Sequence, residues 1–104
     1  MDQIKALINE VIQDCQNILV DKSYQTPNIP IINVILREFI EMKDYLAVNN
    51  KILLLDKDKL WTLWSIRTII DSADYGFDKD LFDKVRMVSR LSEKLDEKYV
   101  VFKY

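Results

Sequence analysis

The chain has no histidine, and only one glycine, one cysteine and two prolines in 104 residues. Without histidine it lacks the one side chain that ordinarily titrates near neutrality, and also the commonest protein ligand for transition metals. A single glycine argues against the glycine-rich loops that cradle phosphates in nucleotide-binding folds. Cys15 has no partner for an internal disulfide, which fits a reducing cytoplasm better than a secreted scaffold. No catalytic residue, metal or cofactor is therefore expected, and an enzyme is the least supported class. A serine–lysine pair is the one nucleophilic arrangement that composition leaves open, and nothing in the spacing marks Ser65, Ser72, Ser89 or Ser92.

Long hydrophobic runs are also missing. The most apolar stretches, 29–36 and 52–55, fall far short of the roughly 20 residues that span a bilayer, so membrane insertion is not expected. The start, Met1-Asp2-Gln3-Ile4-Lys5, has neither the basic region nor the unbroken apolar run of a signal peptide, which favours a cytoplasmic location.

What is present is material for a core. Hydrophobic residues make up 49% of the chain and charged residues 31%, with acids and bases interspersed to a net charge of −2. That balance is neither a disordered acidic tail nor a polycation, and the length suits a single domain over 1–104.

Apolar residues recur at helical intervals almost throughout. Ile4, Ile8, Val11, Cys15 and Ile18 form a stripe that Leu7, Ile12 and Leu19 widen, predicting a first helix over 2–21. Pro27 and Pro30 mark a loop, and Pro30 fits the first turn of a second helix, where its missing N–H would be unpaired anyway. Ile32, Ile35, Phe39, Met42 and Leu46 carry that helix to a stop at Asn49-Asn50. The echo of Asp56-Lys57-Asp58 in Asp78-Lys79-Asp80 predicts two helix starts, each with an aspartate N-cap and a hydrophobic staple, Leu55–Leu60 and Phe77–Phe82. A third helix is then expected over 57–74, with Gly76 as a left-handed residue beyond its end. A fourth is expected over 79–98, burying Leu81, Val85, Val88, Leu91 and Leu95.

The resulting fold class is all-α, an antiparallel four-helix bundle. Two short segments stand outside it, and either they pair as a minor two-stranded ribbon (52–55 with 99–104) or each extends a neighbouring helix or packs as an apolar strap.

Several constellations carry candidate chemistry. Glu38, Glu41 and Asp44 lack the histidine a di-iron site needs and read as a solvated face; Asp56 and Asp58 lack the glycine and final carboxylate of a calcium loop. Arg86, Arg90, Lys94 and Lys98 form a basic ridge, but Glu93, Asp96 and Glu97 interrupt it, so no nucleic-acid partner is expected. Asp71, Asp74, Asp78, Asp80 and Asp83, opposed by Lys79 alone, make an acidic knob that would attract a basic partner. On the third predicted helix, Trp61, Trp64, Arg67, Asp71, Asp74 and Tyr75 gather away from the apolar stripe, with spacing that lets Arg67 lie on Trp64 and reach Asp71. A central helix buried all round, with Arg67 tied internally to Asp71 or Asp74, is the simpler account of this face, but tryptophan, tyrosine and arginine are also the types enriched at interface hot spots.

The expected function is a small non-enzymatic module that binds another, basic, protein through these residues. The alternative is a self-assembling homodimer closed by the tryptophan face or by 99–104. A small acidic helical bundle of this kind resembles bacterial immunity and antitoxin-type proteins, including the four-helix immunity proteins of peptide bacteriocins. The likeness is one of architecture.

Overall fold

A computed structural model describes residues 2–49, 71 and 73–93. Among these residues the chain forms three helices, α1 (Asp2–Val20), α2 (Ile29–Asn49) and α3 (Lys79–Glu93), and no β-strand. The four-helix bundle with a ribbon is thereby corrected to a three-helix all-α arrangement, and the ribbon segments 52–55 and 99–104 lie outside the described residues, as does nearly all of 57–74. Of the two aspartate caps, the one at Asp78 starts a helix among the described residues and the one at Asp56 lies outside them. The observed core is built on a central α1, with α2 and α3 each packed against it.

The stripe periodicity accounts for this packing. Ile4, Ile8, Val11, Ile12 and Cys15 from α1 meet Ile32, Ile35, Phe39, Met42 and Leu46 from α2, and Leu81, Phe82, Val85 and Val88 from α3, in one buried cluster. Leu7, Ile18, Leu19 and Leu91 pack at its margin. Lys5, Ile8 and Asn9 at the start of α1 share a groove with Lys43, Leu46 and Ala47 near the end of α2, so these two helices are antiparallel. Asp14, Asn17 and Ile18 in the second half of α1 share a cleft with Lys79, Asp80 and Leu81 at the start of α3, which sets α3 antiparallel to α1 as well, and Lys84 pairs there with Asp14 and Glu10. Accordingly α2 and α3 run in the same direction, with their N-termini side by side.

Glu38 departs from the expected solvated face. It is 7% exposed, with Arg37 Nε 3.4 Å from its Oε1, because position 38 falls a turn from both Ile35 and Met42 on the core-facing side of α2. Asp44 is exposed as expected.

Gly76 is a second departure. Its φ lies outside the left-handed region, and a Cβ built on it would meet only Asp74 Oδ1, at 3.6 Å, an ordinary contact. Gly76→Ala is therefore expected to stabilise the protein by about 0.4 to 1 kcal/mol through a less flexible unfolded chain. A fall in the urea midpoint would show instead that this turn depends on glycine.

Candidate functional site

The two helix starts are tied together by a buried polar clasp. The carbonyl of Asn28 accepts the first helical bond of α2 from Ile32 N–H (2.9 Å), and the carbonyl of Asp78 accepts that of α3 from Phe82 N–H (3.0 Å), so both residues are N-caps. Pro30 consequently occupies the second helical position, where its missing N–H is again one that would have been orphaned.

Neither side chain caps its own helix in the expected way. The Asp78 carboxylate, in a residue only 4% exposed, accepts hydrogen bonds from Thr26 Oγ1 (2.6 Å) and Asn28 Nδ2 (2.7 Å) at Oδ2 and faces the Tyr24 hydroxyl at Oδ1 (2.7 Å). Asn28 uses its amide as a peptide group would: Nδ2 also donates to Asp74 O (2.9 Å), and Oδ1 accepts from Asp74 N–H (3.1 Å). Its amide orientation follows from these partners, since Asp74 N–H needs an acceptor and Asp78 Oδ2 needs a donor. Thr26 Oγ1 also receives Asn28 N–H (3.1 Å). A carboxylate beside two parallel helix N-termini is electrostatically favoured, because both ends carry partial positive charge.

The Tyr24 hydroxyl lies 2.7 Å from Phe77 O as well as from Asp78 Oδ1, so one proton serves two acceptors. The hydrogen bond to Asp78, then partial burial and the charges of Asp78 and Asp80, push its pKa up to about 12. On α3, Lys84 is held above its ordinary value, first by its hydrogen bond to Asp14 (2.7 Å). Both groups have folded-state values above their unfolded ones, so their stabilisation is complete below pH 10 and is lost as pH rises through the folded values. Stability measured by urea is expected to fall between about pH 10 and 12, and Tyr24→Phe should flatten part of that slope. An unchanged slope in the variant would mean that Tyr24 does not titrate as the clasp requires.

The hydrophobic staple of α3 also differs from expectation. Phe77 is 50% exposed and Phe82 fully buried, and the ring stacked on Phe82 is that of Tyr75, with centroids 5.9 Å apart and planes at 29°. Pinning Phe77 O to Tyr24 holds the backbone at this point while its ring faces solvent.

Of the six residues expected to form a binding face, Trp61, Trp64 and Arg67 lie outside the described residues. The other three are brought together at the start of α3, with different partners. The Arg86 guanidinium lies 5.0 Å from the Tyr75 ring centroid and donates from Nη2 to Asp71 Oδ1 at 2.7 Å. Within-helix spacing could not point to Arg86, which reaches Asp71 from another element, 15 positions away in sequence. Lys79 Nζ approaches Tyr75 at 6.0 Å and pairs with Asp83 at 2.8 Å. Asp74 contributes its backbone to the clasp and leaves its side chain exposed.

The acidic knob is thus smaller than composition implied. Asp78 is buried, Asp71 and Asp83 are paired, and only Asp74 and Asp80 present exposed carboxylates without a cation partner among the described residues. Of the basic ridge, Arg86 is engaged, Arg90 is exposed, and Lys94 and Lys98 lie outside the described residues.

Beside the turn, an open cleft of about 500 Å³ runs between the second half of α1 and the start of α3. Ile18, Tyr24, Phe77 and Leu81 supply apolar surface, and Asp14, Lys79, Asp80 and Lys84 supply charge. Cys15 is fully buried, and burial, then the charges of Asp14 and Asp78, push its thiol up to about 12, which leaves it inert as a nucleophile. Among the described residues no group of three or more potential ligands is placed to hold a metal ion, and no helix is long and apolar enough to cross a membrane.

Tyr24, Thr26 and Asn28 were not singled out by sequence reasoning. A Thr-Pro-Asn run ahead of a helix carries a cap signal at Asn28, but nothing local announces that its partner is a carboxylate 50 residues away. Comparison of this chain with protein-family models, with curated proteins and with solved structures gives no match.

Proposed function

We propose that this small helical protein is a non-enzymatic module that binds a basic protein through the turn at 73–80 and the cleft beside it. The observation that carries the reading is Phe77, a half-exposed aromatic on a backbone fixed by the clasp. Aromatic side chains held in advance bind at lower entropic cost, and they dominate the energetics of many interfaces. Asp74 and Asp80 flank it as exposed carboxylates with no cation partner among the described residues, which would accelerate encounter with a positively charged surface more than they deepen affinity. The buried, unreactive Cys15 supports a role without nucleophilic chemistry and suits a cytoplasmic setting. The likeness to four-helix immunity proteins lapses with the helix count and adds nothing to this reading.

The test compares immobilised wild type with the double variant Phe77→Ala, Asp80→Lys in capture from the native host. A basic protein retained by the wild type and lost by the variant, with circular dichroism and melting unchanged, is the expected result. Retention of the same proteins by both would remove this surface from consideration. Light scattering across dilution addresses the homodimer: a mass that stays at twice the chain mass in wild type and halves in the variant would assign Phe77 to self-association instead.

A further inference from the structure

On one side of the turn the chain fills an aromatic and carboxylate pair with its own arginine. The Arg86 guanidinium lies over Tyr75, 5.0 Å from the ring centroid, and donates to Asp71 Oδ1 at 2.7 Å, whereas the Lys79 ammonium stands further from that ring, at 6.0 Å, and pairs with Asp83. On the cleft side a second set has no such cation. Phe77 and Tyr24, 50% and 38% exposed, line the cleft with Asp80, whose carboxylate has no cation partner among the described residues. These groups share one corner. The Tyr24 hydroxyl lies 2.7 Å from Phe77 O, and its pKa is raised by its bond to Asp78, then by burial and by the charges of Asp78 and Asp80, which places the Asp80 carboxylate near it.

The surrounding charge favours a cation there. Lys84 is held by Asp14 and Glu10, and Lys79 by Asp83, so both lysines of the cleft are paired away from Asp80. On the opposite wall, Asn17 and Ile18 belong to the last turn of α1, the negative end of a helix dipole. That turn holds no basic residue, and Lys22 beyond it does not line the cleft. The positive start of α3 is met by Asp78.

We propose that this corner takes one arginine side chain of the basic partner, its guanidinium laid against Phe77 and Tyr24 and donating to Asp80. The inference rests on the reading of this turn as a protein-binding surface and names what the surface selects. A planar guanidinium stacks on a ring while its edge keeps donors for a carboxylate, whereas an ammonium is compact and strongly hydrated. Arg86 on Tyr75 and Asp71 is the same arrangement within the chain. The open cleft of about 500 Å³ has room for such a side chain and the backbone that carries it.

The probes are acetyl-Gly-Arg-Gly-amide and its lysine and neutral citrulline counterparts, titrated at low salt into the isotope-labelled full chain. NMR signals of Phe77, Tyr24 and Asp80 are expected to shift saturably with the arginine peptide, at a Kd on the order of 10 mM, about threefold more weakly with lysine, and without saturation with citrulline. Phe77→Leu should bring arginine affinity down to that of lysine with the spectrum otherwise preserved, and Asp80→Asn should weaken both while keeping their ratio. Equal affinity for the arginine and lysine peptides, the absence of saturable shifts, shifts centred elsewhere, or an arginine preference that survives Phe77→Leu would overturn the proposal. The two readings fail separately. Loss of a captured basic protein by the Phe77→Ala, Asp80→Lys variant, beside equal peptide affinities, would keep the surface and overturn arginine selection. An arginine preference beside unchanged capture would keep the guanidinium site and remove the protein partner.

Discussion

Asp78→Ala is expected to remove about 3 to 5 kcal/mol of stability, seen as a lower urea midpoint at an unchanged m value. The substitution deletes the acceptor of Thr26 Oγ1 and Asn28 Nδ2, half-buried and buried respectively, and one of the two acceptors of the more exposed Tyr24 hydroxyl, which keeps Phe77 O. Each abandoned donor costs about 1 to 3 kcal/mol when it stays buried, and partial rehydration of Tyr24 keeps the total below the sum. Against a total stability of about 5 to 15 kcal/mol for a domain of this kind, the loss is large. Asp78→Asn should be far milder, at about 1 kcal/mol. Its carbonyl oxygen can accept from Thr26 and Asn28, and its amide can donate to the Tyr24 oxygen, which frees the hydroxyl proton for Phe77 O. The charge beside two helix N-termini is what asparagine gives up. Equal losses in the alanine and asparagine variants would show that the charge, and not the set of hydrogen bonds, holds the clasp.

The second large effect is expected at Phe82→Ala, about 3 to 5 kcal/mol, compared with no more than about 0.5 kcal/mol for Phe77→Ala. Phe82 is fully buried in the cluster shared with α1 and α2, and Tyr75 stacks on it, so truncation leaves a cavity and loosens the turn that carries Asp74 and Phe77. Phe77 is half-exposed and donates no comparable packing. Thermal or urea unfolding of the two variants separates them directly. A destabilisation by Phe77→Ala that matches Phe82→Ala would mean that Phe77 belongs to the core, and the protein-binding surface would lose its anchor.

Stripe periodicity was legible and cap partnership was not. Ile32, Ile35, Phe39, Met42 and Leu46 all read as core from spacing alone and all are buried, because a helix converts sequence interval into direction in space. Asp78 was correctly placed at a helix start for the same local reason. Its side-chain partners come from the segment between α1 and α2, and no interval along the chain encodes that approach. The same limit governs the candidate site. Of the expected face, Asp71 and Tyr75 share Arg86, which the packing of α3 brings in from another element and which no interval along the chain announces, while Trp61, Trp64 and Arg67 lie outside the described residues. Composition overstated the acidic knob because a count of carboxylates ignores which are buried or paired.

The clasp also bears on how the chain reaches this structure. Its bonds join residues separated by 46 to 54 positions, so they close a long loop whose entropy must be surrendered before any of them forms. Pairing of α1 with α2 needs only the short segment between them, and is the cheaper event in a topology where local contacts form first. The turn that displays Phe77 is therefore expected to be set after the α1–α2 pair, and refolding of Asp78→Asn should be slowed little while its unfolding is accelerated.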